Sequence, residues 1–148
     1  MGIENDINQP KFASEYQKAA INIIYTNNWL VERFKNIFES EDLTTQQFNI
    51  LRILRGAREP LSICTIRERM LDRMSDASRI VDRLIKKGLV KKTINKFDKR
   101  LVSVTISPRG LAVLKKLDER DDELNNVVSK LSVTEAKTLN KLLDKIRS

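Results

Sequence analysis

A mainly α fold with one small β-hairpin, bracketed by long helices at both chain ends, is what three features of the sequence predict. Glycine and proline are scarce, four and three in 148 residues, and long stretches are rich in Leu, Lys, Glu and Asp. Apolar residues recur every three or four positions near both ends, as amphipathic helices require. Between them, Leu89 to Ile94 and Leu101 to Ile106 read as two strands joined by the charged turn NKFDKR. Directly before that hairpin stands SDASRIVDRLIKKG, Ser75 to Gly88, a short helix with its own caps. A helix that fits a major groove, followed at once by a basic hairpin, is the layout of a winged helix-turn-helix.

Taken in order, residues 1 to 10 read as a flexible polar lead. Phe12 to about Glu39 then forms a helix of roughly 40 Å at 1.5 Å per residue, longer than a small domain needs. Its apolar stripe, from Phe12 and Tyr16 through Ile23 and Leu30 to Phe38, is wide enough to face its own chain and a partner. Tyr25 and Trp29 lie among these positions, as filler of a core or interface ahead of any ligand role. Thr44 and Gln47 are spaced as a capping box for the next helix, whose inner face carries Phe48, Leu51 and Leu54 and which Gly56 ends. Pro60 and Ser62 open a shorter helix with Ile63, Ile66 and Met70. Cys64 lies in that helix without a nearby His or second Cys, and reads as a buried, inert thiol.

The helix that follows has two distinct faces. Ala77, Ile80, Val81, Leu84 and Ile85 gather on one side, and Ser75, Ser78, Arg79, Asp82, Arg83 and Lys86 on the other. Ser75 suits the N-cap, Asp76 the positive end of the dipole, and Gly88 a left-handed residue past the end. Beyond the hairpin, Ser107 and Pro108 start another long helix marked by Leu111, Leu114, Leu117, Leu124, Val128 and Leu131, interrupted by the acidic DERDDE. Ser132 and Glu135 form a second capping box, and Ala136, Leu139, Leu142, Leu143 and Ile146 line the last helix. The expected organisation is a dimerisation helix over residues 1–40, the winged helix-turn-helix over 41–110, and dimerisation helices over 111–148.

Charge is concentrated. The chain carries +8 overall, and residues 61 to 110 hold thirteen Lys or Arg against five Asp or Glu. The remainder therefore balances to zero, and the whole excess lies on the short helix and hairpin. That distribution points to a polyanion, with double-stranded DNA ahead of a membrane surface because no basic amphipathic anchor with aromatics appears. Enzyme chemistry has little to stand on: there is no histidine, one cysteine excludes a multi-thiolate zinc site, and no glycine-rich phosphate loop occurs. No cofactor or metal is expected. The N-terminus lacks signal-peptide order and no apolar run of about 18 residues spans a membrane, so the expected location is a reducing cytoplasm.

From Leu43 to Gly110, the succession LTTQQFNILRIL, MSDASRIVDRLIKKGLVKK, the wing Asp98-Lys99-Arg100 and VTISPRG resembles the MarR family of bacterial transcription regulators. The flanking helices match in length and placement, so the resemblance covers nearly the whole chain. It implies a homodimer that binds a pseudo-palindromic operator, a repressor ahead of an activator, released by a small-molecule effector. It also implies that Ser75, Asp76, Ser78 and Arg79 enter the major groove, and that Arg100, steadied by Asp98, reaches the minor groove. Arg83, Lys86, Lys96 and Lys99 add positive charge for phosphates. Ligands in the family sit between the dimer helices and the DNA reader, which nominates Tyr25, Trp29 and Phe48. One departure stands out: Arg67 occupies a place where the family's short helix has a small residue. Two readings stay open beside a DNA-binding regulator: a winged-helix protein-interaction or assembly module, and a winged-helix RNA binder.

Overall fold

A computed structural model describes residues 2–148, and Met1, counted in the expected flexible lead, lies outside the described residues. The rest of that lead is ordered, contrary to expectation. Ile3–Asp6 forms a helical turn (α1), Ile3 is buried, and Glu4 pairs with Lys18 of the next helix. A polar composition hid one apolar anchor. The long helix α2 spans Glu15–Glu39 rather than starting at Phe12, because Ser14 caps it, its side chain accepting from the Gln17 N–H at 3.1 Å.

Helix α3 spans Thr45–Ala57 and begins with the expected capping box of Thr44 and Gln47. It does not end at Gly56. Arg58 adopts the left-handed conformation (φ 56°) that stops the helix, while Gly56 stays within it. A two-residue strand β1 (Leu61–Ser62) follows, then α4 (Ile63–Arg69), capped by Ser62. In α4, Ile66 is fully buried and Cys64 is exposed. Two residues amount to about 200° around a helix, so the side that takes Ile66 inward turns Cys64 out. The expectation of a buried thiol is thus wrong. Arg67 also faces solvent, which removes any packing conflict from the larger side chain.

Helix α5 spans Ala77–Lys86, one residue later than a Ser75 cap would give. Strands β2 (Val90–Ile94) and β3 (Val102–Ile106) form the wing, paired antiparallel from Val90↔Ile106 to Ile94↔Val102. Leu89 and Leu101, expected inside the strands, sit just outside them. Strand β1 pairs with the other edge of β3, so the sheet has three strands in the order β1-β3-β2. Sequence patterns cannot register a strand of two residues, and the third strand was invisible there. Helix α6 (Pro108–Asp118) starts on Ser107 with proline in its first turn, and the acidic stretch breaks the chain before the short α7 (Asp121–Asn126). Helix α8 (Val133–Arg147) closes the chain on the capping box of Ser132 and Glu135.

The core lies where α3, α5, α6 and the sheet meet, around Leu51, Leu54, Val81, Leu84, Val104 and Leu114. The C-terminal end of α2 joins it through Phe38, whose ring stacks on Phe48 at 4.1 Å between centroids. Arg55 ties α3 to the end of α6 through two hydrogen bonds to Asp118, of 2.8 and 3.1 Å. By contrast α8 buries no side chain at all, although Leu139, Leu142 and Ile146 repeat along it.

Candidate nucleic-acid interface

Helix α5 separates its faces as its sequence requires. Ala77, Val81 and Leu84 are fully buried, while Ser78, Arg79, Asp82, Arg83 and Lys86 are exposed. The N-cap is Asp76, whose carboxylate accepts from the Arg79 N–H at 3.3 Å. The preceding turn is closed by Asp72, which accepts from the Met74 and Ser75 N–H groups, and this delays the helix to Ala77. An ionised cap also gains from the helix dipole, which a serine cannot. Ser75 is half-buried and its hydroxyl is buried without a partner, so the groove contact expected of Ser75 has no accessible hydroxyl to make it. The other oxygen of Asp76 lies 3.4 Å from Arg79 Nε, so the cap also tethers the arginine.

At its other end α5 closes through Gly88 (φ 74°), with Leu89 N–H donating to the Leu84 carbonyl and Gly88 N–H to that of Ile85. Such a closure needs a left-handed residue, which glycine supplies without strain. The chain then enters β2 directly. Lys92 on that strand comes within 3.9 Å of Asp82 on α5, linking the wing to the exposed face of the helix.

The wing turn is built on two side chains. Asn95 Oδ1 accepts from the N–H groups of Phe97 and Asp98, at 2.8 and 3.1 Å. Asp98 accepts from the Arg100 N–H at 3.0 Å, from its Nε at 3.1 Å and from its Nη2 at 3.3 Å. The Arg100 side chain, hydrogen-bonded first and its backbone N–H second, holds the Asp98 carboxyl below its usual range. Arg100 is nevertheless 91% exposed, free to meet a ligand on its outer side. Lys96 and Lys99 are exposed on the same turn. The role of Asn95 escaped the sequence reading, although an Asn two residues ahead of an exposed N–H is a recognised turn signal.

A cleft of about 930 Å³ opens between α2, the start of α3 and the segment leading to α5, lined in part by Val31, Phe34, Thr45, Asn49, Leu71 and Lys87. Asn49 is 5% exposed; its Oδ1 accepts from the Leu71 N–H at 2.9 Å and its Nδ2 has no partner. Lys87, at the end of α5, donates to the Asp42 carbonyl and to Gln47 Oε1, the latter at 3.0 Å. Tyr25, Trp29 and Phe48 lie elsewhere: Arg33 covers the Trp29 ring at 3.6 Å, Phe48 stacks in the core, and Tyr25 is exposed on α2. The structure does not bring these three together around that cleft.

The fold recurs in known proteins. The MarR family profile matches residues 43–102. The multiple antibiotic resistance protein MarR of Salmonella typhimurium is 31% identical over 129 residues, covering 84% of this chain and 88% of the relative. The chain belongs to the MarR family. Its MarR fold superposes on a crystal structure of an E. coli MarR mutant complexed with operator DNA, with TM-score 0.77, 24% identity and coverage of 99% of both chains. It also matches the organohalide-sensing regulator RdhR-CbdbA1625 bound to 2,4-dichlorophenol, with TM-score 0.84, 21% identity, and coverage of 94% of this chain and 83% of that one. MarR proteins are transcription regulators and not enzymes, which is the class to which this chain is assigned. No helix among its described residues is long and apolar enough to cross a membrane.

Proposed function

We propose that this MarR-family regulator acts as a homodimeric repressor on a pseudo-palindromic operator, with residues 41–110 as the DNA reader and the two terminal segments as the dimer frame. The observation that carries the reading is that both candidate base-reading arginines are exposed and each is tethered to its own aspartate, Arg79 to Asp76 and Arg100 to Asp98. A tether of this kind adds little to the fold of a solvated surface but limits the directions an arginine can take before DNA arrives. Ser78 and Arg79 meet the major groove, where arginine pairs bidentately with guanine, whereas the Ser75 hydroxyl is buried and takes no part. Arg100 enters the minor groove, where negative potential is concentrated. Arg83, Lys86, Lys96 and Lys99 neutralise phosphates. The E. coli MarR mutant crystallised with operator DNA supports DNA as the partner in this reading.

The effector site of this reading is the cleft between α2 and α3, since Lys87 joins its wall to the end of α5. The relative that binds a chlorinated phenol supports a small-molecule effector. A ligand that moved Lys87 from Asp42 and Gln47 would act on the reading helix directly. The test is selection of duplexes from random sequence, followed by anisotropy titration. A palindromic consensus bound by two protomers is the expected result. Recovery of no consensus would refute it.

A further inference from the structure

The wing carries an aromatic side chain that the fold does not use. Of five phenylalanines, Phe97 alone is 100% exposed, and the other four are buried or half-buried. It is not displayed by a loose segment. Its N–H is held by Asn95 Oδ1 at 2.8 Å, and the turn is closed by Asn95 N–H to the Leu101 carbonyl at 2.8 Å and by Leu101 N–H to the Asp98 carbonyl at 3.0 Å. The backbone is pinned while the ring touches nothing. Its neighbours on the turn are Lys96, Lys99 and Arg100, and the single acid, Asp98, is already engaged by Arg100.

Accordingly, we propose that Phe97 is an apolar wedge that enters the minor groove beside Arg100 and opens a base step, so that the wing favours easily unstacked sequence beneath it. The proposal rests on the DNA-binding reading above. Charge decides the occupant. An apolar partner surface would have to bury three cations along with the ring, whereas a duplex offers phosphates to the cations and a stacked, apolar step to the ring. Apolar side chains flanked by cations are the means by which minor-groove proteins kink DNA. Pyrimidine–purine steps unstack most readily, so the preference falls on TA and CA steps. This is a specificity that needs no hydrogen bond to a base edge.

The experiment takes the full chain and a duplex recovered by selection, with the wing position located by footprinting. End-to-end energy transfer reports bending, and 2-aminopurine at the step beneath the wing reports unstacking. Wild type is expected to bend the duplex by about 20° or more and to raise 2-aminopurine fluorescence. Phe97→Ala should lose both signals and bind about tenfold more weakly, with the salt dependence unchanged because phosphate contacts remain. Phe97→Leu, still apolar, should retain part of the unstacking. Equal bending and fluorescence from wild type and Phe97→Ala would overturn the wedge. So would a Phe97→Ala defect confined to dimer sedimentation, which would make the ring a contact between chains. A wild type that selects no duplex would instead overturn the DNA-binding reading itself.

Discussion

Two aspartates orient two arginines, and the value of each pair lies in direction more than in stability. Arg79→Ala is expected to cost about 1–3 kcal/mol on the preferred operator and to relax discrimination at one position. Arg100→Ala should weaken binding while leaving major-groove preferences mostly intact, and Asp98→Ala should give a smaller version of the same loss. Binding-site selection on each variant, with circular dichroism as the folding control, checks these outcomes; Arg100→Ala binding like wild type would make the wing structural. The pH dependence follows from the same pair. Because Arg100 lowers the Asp98 pKa, the contribution is fully present above the ordinary carboxylate value and is lost only as pH falls through the lower folded value. With no histidine in the chain, DNA affinity should stay flat between about pH 5.5 and 7.5. A titration step near pH 6.5 in anisotropy would contradict this.

Between elements, one junction sets the position of the reader. The buried Ser107 hydroxyl donates to the Gly88 carbonyl at 2.7 Å and accepts from the Gly110 N–H at 3.0 Å, while its own N–H donates to the Leu89 carbonyl at 3.0 Å. One serine thereby joins the end of α5, the base of the wing and the start of α6. Gly110 permits the approach: a Cβ there would strike the Leu89 carbonyl and lie 2.7 Å from Ile106 Cγ1. Ser107→Ala is expected to cost about 1–2 kcal/mol, the loss of a cap plus an orphaned acceptor. Gly110→Ala should cost about 1–3 kcal/mol through overpacking. Gly56 is the contrast, since it is helical and a Cβ there meets nothing within 4 Å. Gly56→Ala should stabilise by about 0.4–1 kcal/mol. Urea unfolding of the three variants tests the ordering, and a neutral Gly110→Ala would show that the junction yields.

At the scale of the molecule, the apolar side chains left uncovered are concentrated on the terminal helices. Tyr16, Ile23, Ile24 and Val31 on α2 are exposed, as are Val133, Leu139, Leu142 and Ile146 on α8. A helix such as α8, repeating leucines with none buried, gains stability from packing only against something outside the chain. A second copy is the expected occupant. Sedimentation at micromolar concentration should give a dimer, and Leu142→Glu should dissociate it; a folded wild-type monomer would remove the basis for a palindromic site. Cationic groups meeting phosphate should make log K fall with log salt with a slope of roughly −5 to −9 for the dimer. A flat salt dependence would place the binding surface elsewhere.

Most of the reader was legible along the chain, because its determinants are local. The 3.6-residue alternation of Ala77, Val81 and Leu84 against Arg79, Arg83 and Lys86 defines α5 and its exposed face wherever the helix packs. The charge excess of residues 61 to 110, the Gly88 closure and the wing turn likewise need only near neighbours. Tertiary structure decided what depends on residues far apart. Strand β1 exists only because β3 offers it an edge, and Ile3 is ordered only because the chain folds back over a polar lead. Cys64 faces out because Ile66 takes the place in the core, whereas the cap on Asp76 in place of Ser75 is a local matter, set by the Asp72 turn four residues earlier. The cleft walled by Asn49 and Lys87 joins residues 38 positions apart, and the aromatic positions chosen from sequence lie outside it. Local patterns specify which face of an element is apolar. What that face meets is set by packing among distant segments, which no window of sequence contains.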